Sequence, residues 1–196
     1  MIGKYWKGLS MTRNLKIKRI AIFGWCLWVL ALSFHALADN NALQGFTEKK
    51  LGADVVAYDT ELFNLLSNEK NIIDNKNYYL KDFAILFDTL LRQSQAAQTQ
   101  KEAVFLKKRL LSGPASKPRA IKDGATNRMY IYYSACQAHA CDTTKLGLLY
   151  EVGVRQMVAK LTVQGKAEFL GEVTSAEKDL LSYLQSENAR RLPNEK

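Results

Sequence analysis

Apolar positions along the chain follow a helical stripe in the first half and alternating runs in the second. Leu80, Phe83, Ala84, Phe87, Leu90 and Leu91 recur at three- and four-residue steps, the spacing of a helix with one buried face. They read as core anchors. Upstream, Val55, Leu62, Phe63, Leu65 and Leu66 mark a short helix within 51–66, and 68–77, dense in Asn, Asp and Lys, reads as a loop. Residues 39–54 are polar and irregular, a loosely held start. Downstream, 92–100 is polar and Gln-rich, so it extends the helix or frays. Residues 103–111 set Val104, Phe105, Leu106, Leu110 and Leu111 around Lys107, Lys108 and Arg109. Adjacent cations cannot share one helical face, so these three read as a solvated run rather than a binding patch.

Gly113-Pro114 and Lys117-Pro118 then break regular structure. Beyond them the period becomes two. Ala120 and Ile121 open a strand, and Lys122-Asp123-Gly124 is a hairpin turn. Residues 128–134 form the next strand, with Met129, Ile131 and Tyr133 on one face and Tyr130 and Tyr132 on the other. Two more strands fall over 146–154 and 155–163, and Gln164-Gly165-Lys166 turns into a fifth over 167–171. Thr174 or Ser175 caps a last helix through Leu184, with Ala176, Leu180, Leu181 and Leu184 as its stripe. From Gln185 onward little is left to bury. This order predicts an α+β fold, a mostly antiparallel β-sheet of about five strands flanked by helices.

Charge changes the picture once the N-terminus is set aside. Lys4, Lys7, Arg13, Lys16, Lys18 and Arg19 form a basic region with no acid before Asp39. The apolar run 20–34 follows, and then Ala36-Leu37-Ala38, an A-x-A cleavage site. That order is a secretory signal peptide over 1–38, so the mature chain is expected to start at Asp39 in the periplasm. The run is too short for a comfortable membrane span, and an uncleaved form would act as a tether. Six of the 28 Lys and Arg precede Asp39 and none of the 19 acids does, which reduces the formal +9 to +3 for 39–196. No nucleic-acid partner follows from so modest a charge.

Of three cysteines, Cys136 and Cys141 lie beyond the leader, an even count that implies a disulfide in an exported protein. They bound Cys136-Gln137-Ala138-His139-Ala140-Cys141, a tip between two aromatic-rich strands that contains the only histidine after the leader. A nucleophilic triad would have to use His139, and a disulfide has no thiolate to attack with. Cys136, His139 and Cys141 with Asp142 are too tightly spaced to surround a tetrahedral zinc ion. Cys-x₄-Cys between strands is not the redox Cys-x-x-Cys at a helix start. No spacing selects a pair of glycosidase carboxylates. The expectation is therefore no enzyme, no metal and no cofactor. Either the loop is a recognition device, or His139 is a surface histidine on a stapled turn.

Ser134-Ala135-Cys136-Gln137-Ala138-His139-Ala140-Cys141, entered by a Tyr-rich strand and left through Leu146-Gly147-Leu148-Leu149-Tyr150, resembles the inhibitory loop of the Ivy family, periplasmic inhibitors of vertebrate (C-type) lysozyme. The helix over Phe83–Leu91, the break over 113–118 and Phe169-Leu170-Gly171 match family segments in the same order. The resemblance covers roughly residues 78–185. It leaves 39–77 as a partly helical N-terminal extension and 186–196 as a flexible tail. It implies an antiparallel sheet flanked by helices, a possible homodimer, and a protruding disulfide-closed loop. That loop enters the cleft of a lysozyme-fold muramidase with His139 against the catalytic carboxylates. The family loop typically reads Cys-Lys-Pro-His-Asp-Cys; Gln137, Ala138 and Ala140 depart from it. Restoring Pro at 138 and Asp at 140 is expected to tighten binding to a C-type lysozyme, since Pro presets φ. The natural target could equally be a rival's or the cell's own wall-cutting enzyme, as for an immunity protein. The competing class is a non-inhibitory envelope or peptidoglycan-binding module, for which the loop is incidental.

Overall fold

A computed structural model describes residues 43–114, 116–186 and 192. The expected leader, its cleavage site and most of the C-terminal tail lie outside these residues. Six strands form one antiparallel sheet in sequence order, β1 (Phe46–Lys49), β2 (Arg119–Asp123), β3 (Met129–Cys136), β4 (Lys145–Glu151), β5 (Gln156–Val163) and β6 (Lys166–Leu170). A 3-10 helix (Ala53–Tyr58), α1 (Leu62–Leu66), α2 (Lys81–Leu91) and α3 (Gln100–Leu110) precede β2, and α4 (Ser175–Leu184) closes the order. From β2 onward every connection is a hairpin, as expected for strands adjacent in sequence.

The alternation in β3 sorts its side chains onto two cores. Ile131 and Tyr133 join α1, α2 and α3 on one face, with Phe87, Leu65 and Leu110 almost fully buried. Tyr130 and Tyr132 join Phe46, Ile121 and α4 on the other. Helices on both faces explain why Leu146 through Glu151 in β4 are all buried. Removing a side chain such as Phe87 from water contributes about 1.5–3 kcal/mol.

The helical stripe is where the sequence puts it. Phe83, Ala84, Phe87, Leu90 and Leu91 are buried, and Leu80 is the partly buried N-cap residue. α3 starts afresh at Gln100 behind a capping box of Thr99 and Glu102, so 92–100 does not continue α2.

Other expectations change. The sheet has six strands rather than about five, because Phe46–Lys49 pairs with β2 in the stretch that reads as irregular. Only Phe46 of those four residues is buried, too little alternation to announce a strand. The 3-10 helix also belongs to the core: Tyr58 packs on Tyr150 at 5.0 Å, and its carbonyl accepts a 2.8 Å hydrogen bond from the Tyr133 hydroxyl. β4 stops at Glu151, since 152–155 make the turn into β5 with Arg155 at φ 56°. In α4 the stripe is Glu177, Leu180, Leu181 and Leu184, and Ala176 is exposed. Glu177 tolerates burial because the Tyr130 hydroxyl donates to it at 3.0 Å and its other oxygen completes the Thr174 capping box. Leu192, in the stretch expected to bury little, lies in the α4-side core.

Candidate functional site

The β3–β4 hairpin carries the loop outward from the most deeply buried part of the sheet. Its last strand pair sets Cys136 opposite Lys145, and beyond it Gln137 N–H donates to Thr144 O at 3.0 Å. Cys136 and Cys141 are joined by a disulfide with a Cα separation of 4.9 Å. Inside the ring, Ala140 N–H donates to Gln137 O at 3.0 Å, closing a β-turn over Gln137-Ala138-His139-Ala140. Positive φ falls on His139 (61°) but not on Ala138, the signs of a type II turn. The Ala140 carbonyl then accepts from Thr143 N–H at 3.1 Å and Thr144 N–H at 2.8 Å, returning the chain to β4.

His139 is exposed at the apex, in the left-handed region that favours glycine. A non-glycine residue there costs on the order of 1 kcal/mol, although histidine is among the residues enriched in it. Positive φ also occurs at Asn75, Asn127, Arg155 and Gln164, so backbone strain alone does not single out the tip. What distinguishes His139 is position: the turn's third residue, inside a covalent ring, with its imidazole toward solvent.

One flank of the ring is backed by protein. Gly113 N–H donates to Cys136 O at 2.9 Å, Ala138 N–H to Ser112 Oγ at 3.1 Å, and Arg109 Nε to Gln137 Oε1 at 2.7 Å. A Cβ at Gly113 would fall inside contact of the Cys136 carbonyl oxygen and 2.9 Å from its Sγ, so only glycine permits this approach. The cationic run is resolved residue by residue: Lys107 pairs with Asp88 at 2.8 Å, Lys108 is exposed, and Arg109 serves the loop. Sequence reasoning missed Arg109, Ser112 and Gly113. Only tertiary packing joins Arg109 to Gln137, 28 residues away.

The expected benefit of Pro at 138 meets an obstacle. Position 138 is the turn's second residue, where Pro suits φ, yet proline would delete the N–H that bonds to Ser112.

The disulfide also borders a groove of about 460 Å³ whose lining includes Lys117, Arg119, Cys141, Asp142 and Lys145. Glu48 pairs with Arg119 at 2.6 Å. Burial, and then the neighbouring Lys145 charge, hold the Lys160 ammonium below the usual lysine range. Around the ring and its groove, Arg109, Lys117, Arg119 and Lys145 therefore face only Asp142 and Glu48 among the described residues. Among the described residues, no group of three or more His, Cys, Asp or Glu side chains is placed to hold a metal ion. No known protein family, curated protein or solved structure matches the chain.

Proposed function

We propose that the protein is an Ivy-like periplasmic inhibitor of lysozyme-fold muramidases, which inserts the Cys136–Cys141 ring into the enzyme's cleft and sets His139 against its acid pair. One observation carries the reading: an exposed histidine sits at the apex of a short, covalently closed turn that is held by an internal hydrogen bond and by bonds to the residues on either side of it. Glycoside-cleaving enzymes hold one carboxyl protonated and one charged. An imidazole matches that pair, since it offers a donor and an acceptor when neutral and two donors when protonated. In either state it fills the space needed by the glycosidic oxygen and the sugar ring. Occlusion of this kind asks for no catalytic residue in the inhibitor. The ring has lost part of its conformational freedom before binding, which lowers the cost of association. The groove beside the disulfide leaves room for the lip of the enzyme's cleft.

The test is an inhibition panel across C-type, G-type and bacterial muramidases, run with wild type, His139→Ala and His139→Asn. Asn tolerates positive φ, so that variant removes the imidazole without changing the backbone preference. Truncating a central, desolvated contact typically costs about 2 kcal/mol, and both variants should inhibit roughly thirtyfold less. If no enzyme is inhibited, or inhibition survives both substitutions, the reading fails. Sedimentation of the protein with purified cell wall alone would then favour the envelope-module alternative.

A further inference from the structure

We propose that the end of α3 and the residues directly after it form a platform that sets the tip's conformation before any partner arrives, with Arg109 a positioning residue that acts through Gln137. This deepens the proposed function and rests on the tip being the contact element. Residues from one short stretch, Arg109, Ser112 and Gly113, reach the consecutive loop residues Gln137, Ala138 and Cys136. Ser112 works as a relay. Its hydroxyl donates to Arg109 O at 2.7 Å and accepts from Ala138 N–H at 3.1 Å, so the helix end and the turn share one hydrogen-bonded chain. The Arg109 guanidinium lies 5.8 Å from the Phe105 ring centre, which steadies it and gives that exposed aromatic a task.

Gln137 is the residue from which the turn hangs. Its carbonyl accepts from Ala140 N–H, its N–H donates to Thr144 O, and its side chain accepts from Arg109. Fixing all three polar groups fixes the direction in which His139 projects two residues later. The turn carries Ala138 where a proline would preset φ, so the disulfide and the internal bond leave part of its geometry to be set from outside. The bonds from Arg109, Ser112 and Gly113 supply that part.

The experiment measures amide hydrogen exchange at Ala138 and Ala140 in the free protein for wild type, Arg109→Ala, Gln137→Ala, the double variant and Gln137→Glu. Affinity is measured in parallel for whichever muramidase the wild type inhibits best. Each single alanine variant should exchange about five- to tenfold faster at both amides, and its affinity should weaken by a similar factor as the competent conformation becomes less populated. The double variant should be no worse than either single, because both remove the same bond. Gln137→Glu keeps an acceptor for Arg109, now charge-assisted, and should retain wild-type protection. Melting temperatures should stay within about 2 °C, which separates positioning from general stability. Should Arg109→Ala fail to fold, Gln137→Ala removes the same bond from the loop side. Unchanged exchange in the single variants, or effects that simply add in the double, overturns the platform. If the wild type inhibits no muramidase, the proposed function fails while exchange in the free protein still decides the platform.

Discussion

Replacing Gly113 with alanine probes the closest approach in the molecule's loop support. The added methyl meets the Cys136 carbonyl oxygen and lies 2.9 Å from its Sγ and 3.0 Å from its carbonyl carbon. None of these atoms is the far end of a flexible side chain. Gly113 is not at positive φ, so the cost comes from contact rather than backbone preference. Two terms set the size. Overpacking of this kind costs about 1–3 kcal/mol, and displacement of Gly113 forfeits its hydrogen bond to Cys136, about 1 kcal/mol net. Reduced freedom of the unfolded chain returns about 0.4–1 kcal/mol. A net loss of about 1–3 kcal/mol follows. Relaxation is limited because Leu110 is 1% exposed and anchored in the core, and Pro114 follows at once. With a urea slope of about 2 kcal/mol per molar, the unfolding midpoint should fall by about 0.5–1.5 M. Gly153→Ala is the control, since a Cβ there meets nothing within 4 Å and φ is not positive. Its midpoint should hold or rise slightly. Midpoints for the two variants within about 0.2 M of each other would refute the close-approach reasoning.

The disulfide and the buried tyrosines give two further tests. Reduction, or Cys136→Ser with Cys141→Ser, should cost only about 2 kcal/mol by loop-closure entropy for so short a ring, against a domain stability of about 5–15 kcal/mol, leaving the far-UV spectrum intact. Unfolding on reduction alone would contradict it. Burial pushes Tyr130 and Tyr132 up to about 12 and raises Tyr133 and Tyr150 as well, so the folded protein keeps these phenols protonated where the unfolded chain ionises. Stability from raised pKa values is complete below about pH 10 and is lost as pH climbs toward the folded values, by at most about 1.4 kcal/mol per pH unit for each tyrosine. Urea midpoints should therefore be flat near pH 9 and fall steeply between 10 and 12; a flat profile to about pH 11.5 would count against this burial.

Strong local periodicity made the larger elements legible. The stripe of α2 survives intact because a one-sided helix must repeat its apolar residues, and β3 separates its tyrosines between two cores as alternation requires. Elements with weak local signals were lost. β1 offers one buried residue in four, and α4 turns Glu177 inward because its capping box and the Tyr130 hydroxyl satisfy a carboxylate that composition assigns to solvent. At the site, the ring and its apical histidine were readable from spacing. The support was not, since Gly113 reads as a helix breaker and Arg109 as one of three solvated cations until the fold brings both against the ring.

Scaffold and tip answer to different physical demands, which separates what holds the fold from what the ring presents to solvent. β3 and β4 are covered by helices on both faces, so the strands feeding the ring are fixed by burial and have little freedom to bend. The ring itself adds no side chain to either core. Its order comes from the disulfide, the internal turn and the bonds from Arg109, Ser112 and Gly113, none of which constrains the imidazole or the methyls of Ala138 and Ala140. Apart from a proline at 138 and a β-branched residue at the positive-φ position 139, those three side chains can vary at small cost to folding, whereas Gly113 cannot. On the proposed reading, such a loop changes its target by substitution at its apex, while its attachment keeps presenting the apex in one orientation.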